Sequence, residues 1–362
     1  MDADSIHAVF MAYFEGIIDE TRMLMIFAAL EEDYELEDDS KSYGDRLDLN
    51  SLTSAECKDS FRFTKEQLLD LCDALQLPDV MKGPNRSRWS GIEGLCVLLR
   101  RLCYPNRLCD LEHFFGRPSS TLSIISNCVC LFVYRRWRHL LDDFASQPWF
   151  TPDILRSCVE AVNEKAGLPP GIVNLWGFID GTLRECCKPQ EDQRVYYSGH
   201  KRSHGIKFQA VVAANGIFAH MFGPMPGSRH DAAVLLHSDL LRYMQDRLPI
   251  PAPGQVYQIY GDQAYPLKEQ LLRPYHNPNH QEALFNTAVS KLRMSVEWGF
   301  GEVQRAFSFI DFKKNLKLYL QPIGAYYTVA VLLINCRTCL NGRNEISDYF
   351  QCQPPALNEY LR

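Results

Sequence analysis

The stretch "NLWGFIDGTLRE", residues 174–185, decides the fold, because it predicts a buried strand with an acid at its tip. An apolar run containing Trp176 and Phe178 leads to Asp180, and Gly181 and Thr182 follow as turn-forming residues. Taking a carboxylate out of water is costly unless a positive charge faces it. An arginine, a helix N-terminus or a metal ion would each serve, and the rest of the chain has to indicate which.

Around this strand the pattern is that of an α/β domain, which begins after the linker "GLPPG" at 167–171. The second and third predicted strands are separated by Asn215-Gly216, a typical hairpin turn. We predict strands at 172–179, 206–214, 216–223 and 255–262, and helices at 230–247, 281–307 and 321–340.

Residues 61–168 predict helices only. Thr64 with Gln67, and Ser90 with Glu93, have capping-box spacing. A short helix at 108–115, a turn at 116–118 and a longer helix from Ser119 to about Trp137 give a helix-turn-helix pattern, which is equally typical of an αα-hairpin. The residues that would contact DNA are Ser119, Ser120, Ser123 and Asn127 for bases, and Arg135, Arg136 and Arg138 for phosphates.

Cysteine content indicates a reduced compartment, whereas the charge distribution would suit an anionic partner but is more simply explained as ordinary charge scatter around a solvated linker. The thirteen cysteines are scattered along a 362-residue chain that needs no disulfides, and "MDADSIHAVF" lacks the basic start of a signal peptide. Net charge is −6, but "EEDYELEDD" at 31–39 alone carries seven acids, so the remainder is +1. From 172 to 344 there are 19 Lys and Arg against 13 Asp and Glu. No stretch predicts a membrane span.

Three acids occupy positions that suit a metal site. Asp180 and Asp262 each follow an apolar strand, and Glu297 lies at the edge of the apolar face of helix 281–307. Mg²⁺ takes oxygen ligands, and paired ions can activate water for phosphodiester cleavage. Each acid alone is more simply a cap or an ion-pair partner, and Arg293 is placed to pair with Glu297 at i,i+4. Taken together, the three favour a site.

The motifs "FIDGT", "YYSGHKRSHGIKFQ" (196–209), "GSRHDA" (227–232), "GDQAYP" (261–266) and "VEWGFG" (296–301) occur in an order that resembles PIF/Harbinger-superfamily transposases, which carry an IS5-related DDE endonuclease domain. The resemblance covers about 170–340 and implies an RNase H-like catalytic fold. It implies a catalytic triad of Asp180, Asp262 and Glu297, with Asp231 as a further ligand of Mg²⁺ or Mn²⁺.

The resemblance further implies a nuclear enzyme that cuts DNA at transposon ends and joins the 3′-hydroxyl to target DNA, often with a Myb-like DNA-binding partner. A homodimer would suit a reaction on two ends. We accordingly divide the chain into a helix and acidic linker (1–60), a helical DNA-positioning region (61–168), a DDE nuclease domain (170–345) and a tail (346–362).

A strip beside the first acid interleaves aromatic and cationic side chains and is predicted to hold DNA. Its members, with Arg293 from the later helix, are Tyr197, His200, Lys201, Arg202, His204 and Lys207. Lys201 and Lys207 would equally serve as partners of the carboxylates in a metal-free state. Two alternatives stay open: a domesticated DNA-binding or scaffold protein that does not cut, and a metal-free hydrolase using two carboxylates as acid and base.

Overall fold

The computed structural model describes residues 45–83, 87–169, 173–318 and 320–362. It divides into two compact units. One ends at Val133 and also takes in Phe307–Tyr326, and the other comprises Tyr134–Ala306 and Tyr327–Arg362. The N-terminal helix predicted within 1–60 and the acidic run at 31–39 lie outside the described residues.

The first unit is mainly helical, but a small antiparallel sheet of Met81–Lys82 and Arg88–Trp89 lies within 61–168, where only helices were predicted. Its helices begin at side-chain caps: the capping boxes Thr53/Glu56 and Thr64/Gln67 are both present. Ser90 accepts a hydrogen bond from the Glu93 backbone. The elements are α1 (Ser54–Phe61), α2 (Lys65–Ala74), β1 (Met81–Lys82), β2 (Arg88–Trp89), α3 (Gly91–Cys103), α4 (Glu112–Phe115) and α5 (Ser119–Trp137), which runs into the second unit.

The helix-turn-helix pattern is present as secondary structure. A 3₁₀ turn at Leu108–Leu111 leads into α4, which ends at Gly116 in the left-handed region before α5 begins. In the first unit, Asn127 accepts a hydrogen bond from the Tyr326 hydroxyl. This proposed base-reading side chain is therefore engaged in packing within its own unit.

The second unit is built on a mixed six-stranded sheet, so the chain has the predicted α/β fold with helices flanking the sheet. The strands are β3 (Leu175–Glu185), β4 (Tyr197–Ser198), β5 (Ser203–Ala213), β6 (Phe218–Pro226), β7 (Gln258–Tyr260) and β8 (Leu271–Leu272). Their order is β4-β5-β3-β7-β8, with β6 also paired to β5. β3 is antiparallel to β5 and parallel to β7. The long central strand β3 therefore lies between the hairpin and the parallel edge.

Helices of the second unit pack on this sheet. α13 is long and apolar enough to cross a membrane by composition, but 83% of its most apolar window is buried, and its Tyr327 ring packs on Phe208 of β5 at 4.7 Å. It is thus a core helix. The helices are α6 (His139–Asp142), α7 (Pro152–Ala166), α8 (Gln193–Tyr196), α9 (Asp231–His237), α10 (Leu240–Arg247), α11 (His280–Leu292), α12 (Met294–Ala306), α13 (Ile323–Asn341), α14 (Glu345–Phe350) and α15 (Leu357–Tyr360).

The predicted end of the first strand was wrong. β3 continues past Asp180 to Glu185, because β5 pairs with it as far as Glu185 and Gly205. Asp180 therefore lies in mid-strand, opposite Ala210. Gly181 and Thr182, expected to form a turn, are strand residues.

Two predicted helices are each divided in the structure. The helix at 230–247 is interrupted at Ser238 and Asp239, where Asp239 has a φ of 51°. The helix at 281–307 is interrupted at Arg293. Apolar periodicity continues across both breaks, so it did not reveal them.

The units also differ from the sequence-based division of the chain. Residues 134–168 group with the sheet rather than with the helical region, since α7 packs on β3. The segment 346–362 contains α15, whose Tyr360 is fully buried and accepts a hydrogen bond from Asn335 of α13. These residues are integral to the second unit.

Candidate functional site

The positive charge that faces Asp180 is an arginine. Arg293 Nη1 lies 3.0 Å from Asp180 Oδ2, and the Gly181 backbone N–H donates to Oδ1 at 2.8 Å. The Asp180 side chain is 20% exposed. Burial raises the pKa of this carboxyl to about 6, while Arg293 opposes that rise and Asp262 and Glu297 add to it. A carboxyl so perturbed beside other acids is typical of a functional site.

Arg293 occupies this position because it lies at the junction of α11 and α12. Its second guanidinium nitrogen, Nη2, lies 2.9 Å from Glu297 Oε1, one turn further along α12. The i,i+4 pair that the sequence left open is therefore present. One guanidinium bridges an acid on the central strand and an acid on a helix, and brings Glu297 to Asp180.

Asp262 reaches the same place through strand register. β3 and β7 pair in parallel with Phe178 opposite Tyr260, so two further residues along each chain bring Asp180 level with Asp262. Asp262 Oδ1 accepts a hydrogen bond from the Ala264 backbone at 2.9 Å, which orients the carboxylate at the start of the turn after β7. Asp180 on β3 and Asp262, just beyond the end of β7, are thus close enough for their charges to interact.

Asp231 lies on the other face of β3. A side chain at Gly181 would collide with Asp231 Oδ1, and neighbouring strand residues point to opposite faces, so Asp231 faces away from the Asp180 side chain. Lys207 of β5 forms an ion pair with Asp231 at 2.9 Å and donates to the Arg229 carbonyl at 3.0 Å. The metal-free pairing that the sequence left open for Lys207 is therefore present, with Asp231 as the acid.

These positions set limits on a metal site. Within the described ranges, no three side chains among His, Cys, Asp and Glu are grouped to hold one ion. Mg²⁺, however, commonly uses one or two carboxylates and takes its other ligands from water and substrate phosphates. Asp180 and Asp262 provide two hard oxygen ligands side by side. The residues present therefore fit a two-carboxylate site, whereas Asp231 is separated from it by the strand.

The predicted DNA-binding strip forms an exposed hairpin. β4 and β5 pair at Tyr197 and His204, whose rings lie 5.2 Å apart, and the loop between the two strands carries His200, Lys201 and Arg202 at the surface. Lys207 lies five residues beyond this loop on β5, half-buried against Asp231. Strand β5 thus connects the hairpin to the polar cluster beside β3.

The sequence analysis missed Tyr265. Tyr265 is fully buried, and a side chain at position 261 would collide with its ring. Gly261 in "GDQAYP" therefore leaves the space that the Tyr265 ring occupies. The motif itself was the available signal. Tyr265 follows the acid of that motif, Asp262, by three residues.

Comparison with known proteins gives one match, to residues 179–335, which include Asp180, Asp231, Asp262 and Glu297. This stretch matches the family described as DDE superfamily endonuclease. The match covers less than half of the chain. No curated protein and no solved structure matches it.

Proposed function

We propose that the chain is a DDE-type endonuclease of the transposase class that requires Mg²⁺ or Mn²⁺ and cuts DNA phosphodiesters. In the finer form of the proposal, it acts at transposon ends like PIF/Harbinger proteins and joins the freed 3′-hydroxyl to target DNA. The observation that carries the proposal is the proximity of Asp180 on β3 to Asp262, two residues beyond the end of the adjacent strand β7, within the stretch that matches DDE superfamily endonucleases.

Asp180 and Asp262 are the residues that would hold the metal ion. Such an ion activates a water or hydroxyl nucleophile and stabilises the leaving oxygen. Glu297, held near Asp180 by Arg293, would complete the acidic triad. Asp231 supports the site through Lys207 rather than as a close neighbour of Asp180.

Arg293 has two roles in this proposal. Without an ion, it partly compensates the two negative charges of Asp180 and Glu297. With a metal ion held at Asp180 and Asp262, the Arg293 guanidinium would be free to bind a DNA phosphate, for which its planar fork is well suited. Arg293 therefore remains a proposed DNA contact.

The exposed hairpin would hold the DNA backbone. Lys201 and Arg202 offer charge at the loop, and Tyr197 and His204 offer rings for unpaired bases. The helical unit would position the DNA, and Asn127 is already engaged within it, so base reading by α5 loses one of its candidates. For this reason the proposal includes a Myb-like DNA-binding partner. It also includes a nuclear location and a homodimer that acts on two DNA ends.

Mn²⁺ titration by calorimetry tests the metal site directly, with and without a short DNA duplex that supplies phosphate ligands. We expect binding to wild type and loss of binding in the Asp180→Asn/Asp262→Asn double variant. Asp153→Asn is the matched control, since that acid is 87% exposed and pairs only locally with Arg156. Equal binding by wild type and the double variant would exclude the proposed site.

A non-cutting DNA-binding protein is the second candidate, and the observation in its favour is that Arg293 already compensates Asp180 and Glu297 without an ion. Supercoiled plasmid with Mn²⁺ separates the two candidates. Nicking that disappears in chelator and in Asp262→Asn supports the enzyme. Plasmid binding without nicking, unchanged in Asp262→Asn, supports the second candidate.

A further inference from the structure

Tyr265 carries a buried hydroxyl whose role the site described so far does not explain. The residue is fully buried, and its hydroxyl has no hydrogen-bond partner among the residues that the structure describes. Burying a hydroxyl without a partner is unfavourable, so such a group calls for a functional or structural account. Phenylalanine would fill the same space without that cost.

The position of the ring is fixed by its surroundings. The Tyr265 backbone N–H donates to the Asp262 carbonyl at 3.3 Å, and Arg273 donates to the Tyr265 carbonyl at 3.1 Å. The ring lies against the backbone of Gly261 and shares that space with Ile179 of β3. The tyrosine is therefore held rigidly between the Asp262 turn and the central strand.

Asp231 is an acceptor on the same face of β3. Ile179 and Gly181 are two residues apart in the strand and point to the same side. Tyr265 lies against Ile179, and Asp231 lies against Gly181. Asp231 Oδ1 is buried and, apart from its ion pair with Lys207, accepts no hydrogen bond from the described residues.

The charges around the hydroxyl agree with this placement. Burial raises the pKa of Tyr265 well above its ordinary value, and Asp231 has the next largest effect, ahead of Asp180 and Asp262. The hydroxyl is thus protonated at neutral pH and can act as a donor. It lies close to Asp231 Oδ1, which pairs with Lys207 and, as a carboxylate oxygen, can accept a second hydrogen bond.

We propose that Tyr265 is a positioning residue whose hydroxyl donates a hydrogen bond to a bridging water, which in turn donates to the Asp231 carboxylate. The contact fixes Asp231 and, through it, Lys207 at the base of the hairpin proposed to hold DNA. A water bridge is a common way for polar groups more than 3.5 Å apart to interact. The importance of the contact for catalysis rests on the proposed function, whereas its existence does not.

A double-mutant cycle on unfolding in urea tests the contact without any cleavage assay. Tyr265→Phe and Asp231→Asn are made singly and together. We expect the unfolding equilibrium constant of the double variant to differ about fivefold or more from the value that the single variants predict. Tyr260→Phe with Asp231→Asn is the matched control, because Tyr260 is equally buried but pairs with Ser290 at 3.1 Å, and it should be additive. If the effects of Tyr265→Phe and Asp231→Asn on the free energy of unfolding were additive, the proposal would be overturned.

NMR of ¹³Cζ-labelled tyrosine gives a spectroscopic signature of the same contact. The Tyr265 resonance, identified by its absence in Tyr265→Phe, should shift in Asp231→Asn, or in Asp231→Glu if the asparagine variant does not fold. An unshifted resonance would count against the contact. If wild type cleaves DNA, Tyr265→Phe should lower kcat about tenfold with KM unchanged. Absence of cleavage by wild type would refute the proposed function, while the cycle and the NMR shift would still decide the role of Tyr265.

Discussion

A buried arginine of the helical unit and a half-buried arginine of the sheet unit differ in how far the acids around them are compensated. In the helical unit Arg117 is 8% exposed, meets Glu93 through two nitrogens and donates a further bond to the Arg88 carbonyl. In the sheet unit Arg293 is 24% exposed and divides its guanidinium between Asp180 and Glu297, with Asp262 beside them. The first pair is satisfied within itself. The second leaves negative charge uncompensated, which is what a cation-binding site requires.

The largest effect should come from removing an acid of the uncompensated group. We expect Asp180→Asn to lower plasmid nicking about a thousandfold or more, because the metal ligand is lost while the side chain keeps its shape. Nicking rate in Mn²⁺, with circular dichroism to verify the fold, is the measurement. Asp153→Asn should leave the rate unchanged. Full activity of Asp180→Asn would show that the two arginine sites do not differ in function.

Breaking the satisfied pair should affect stability instead. Arg117→Met leaves Glu93 buried without its partner, and we expect the free energy of unfolding to fall by about 3 kcal/mol. Urea denaturation measures this, and Arg156→Met, in an exposed pair, is the control. A loss below about 1 kcal/mol would mean that Glu93 finds another partner and that the pair is not structural.

His220 can be compared with the two arginines as a buried titratable group that packs against an aromatic ring, that of Phe144, instead of a charged side chain. Burial lowers its pKa to about 3. The ordinary pKa of histidine is about 6.5, so between about pH 6.5 and pH 3 the unfolded chain binds more protons than the folded chain does. The stability that depends on neutral His220 is therefore fully present above about pH 6.5 and is lost as the pH falls. We expect wild type to lose about 2 kcal/mol more than His220→Gln between pH 7 and pH 5, by urea denaturation. Parallel losses in the two proteins would contradict the buried neutral imidazole.

The smallest effect concerns Arg293 itself. If it compensates the acids only until an ion binds, Arg293→Met should raise Mn²⁺ affinity about tenfold, because the ion no longer competes with the guanidinium. Calorimetry without DNA isolates this effect from any role in DNA binding. Arg305→Met, in a more exposed pair with Glu345, is the control. Weaker Mn²⁺ binding in Arg293→Met would instead make the arginine a structural support of the site.

The sequence predicted the strands and helices of the sheet unit well, because apolar periodicity reports which faces are buried. It placed Asp262 after a strand and Glu297 on a helix, and it anticipated cationic partners for the acids at Arg293 and Lys207. It could not tell that Asp180 lies in mid-strand, since Gly181 and Thr182 resemble turn residues and only pairing with β5 extends β3 to Glu185.

The position of Asp231 relative to the other acids could not be predicted either. It depends on alternation along β3, which is defined only once Gly181 is known to be a strand residue. Tyr265 was missed for a related reason: a buried tyrosine in a turn becomes informative only when its hydroxyl is found without a partner. Strand alternation and hydrogen-bond satisfaction are properties of the folded chain rather than of a local pattern.

The segment Phe307–Tyr326 has a consequence for how this protein can be altered. It leaves the sheet unit at the end of α12, the helix that bears Glu297, contributes Phe309 beneath Arg101 to the helical unit, and returns as α13. The helical unit is therefore assembled from two separate stretches of chain. A single truncation cannot remove it cleanly, because the apolar side chains of the inserted segment would remain without their cover. Removing the helical unit would therefore take two deletions, one ending at Val133 and one covering Phe307–Tyr326.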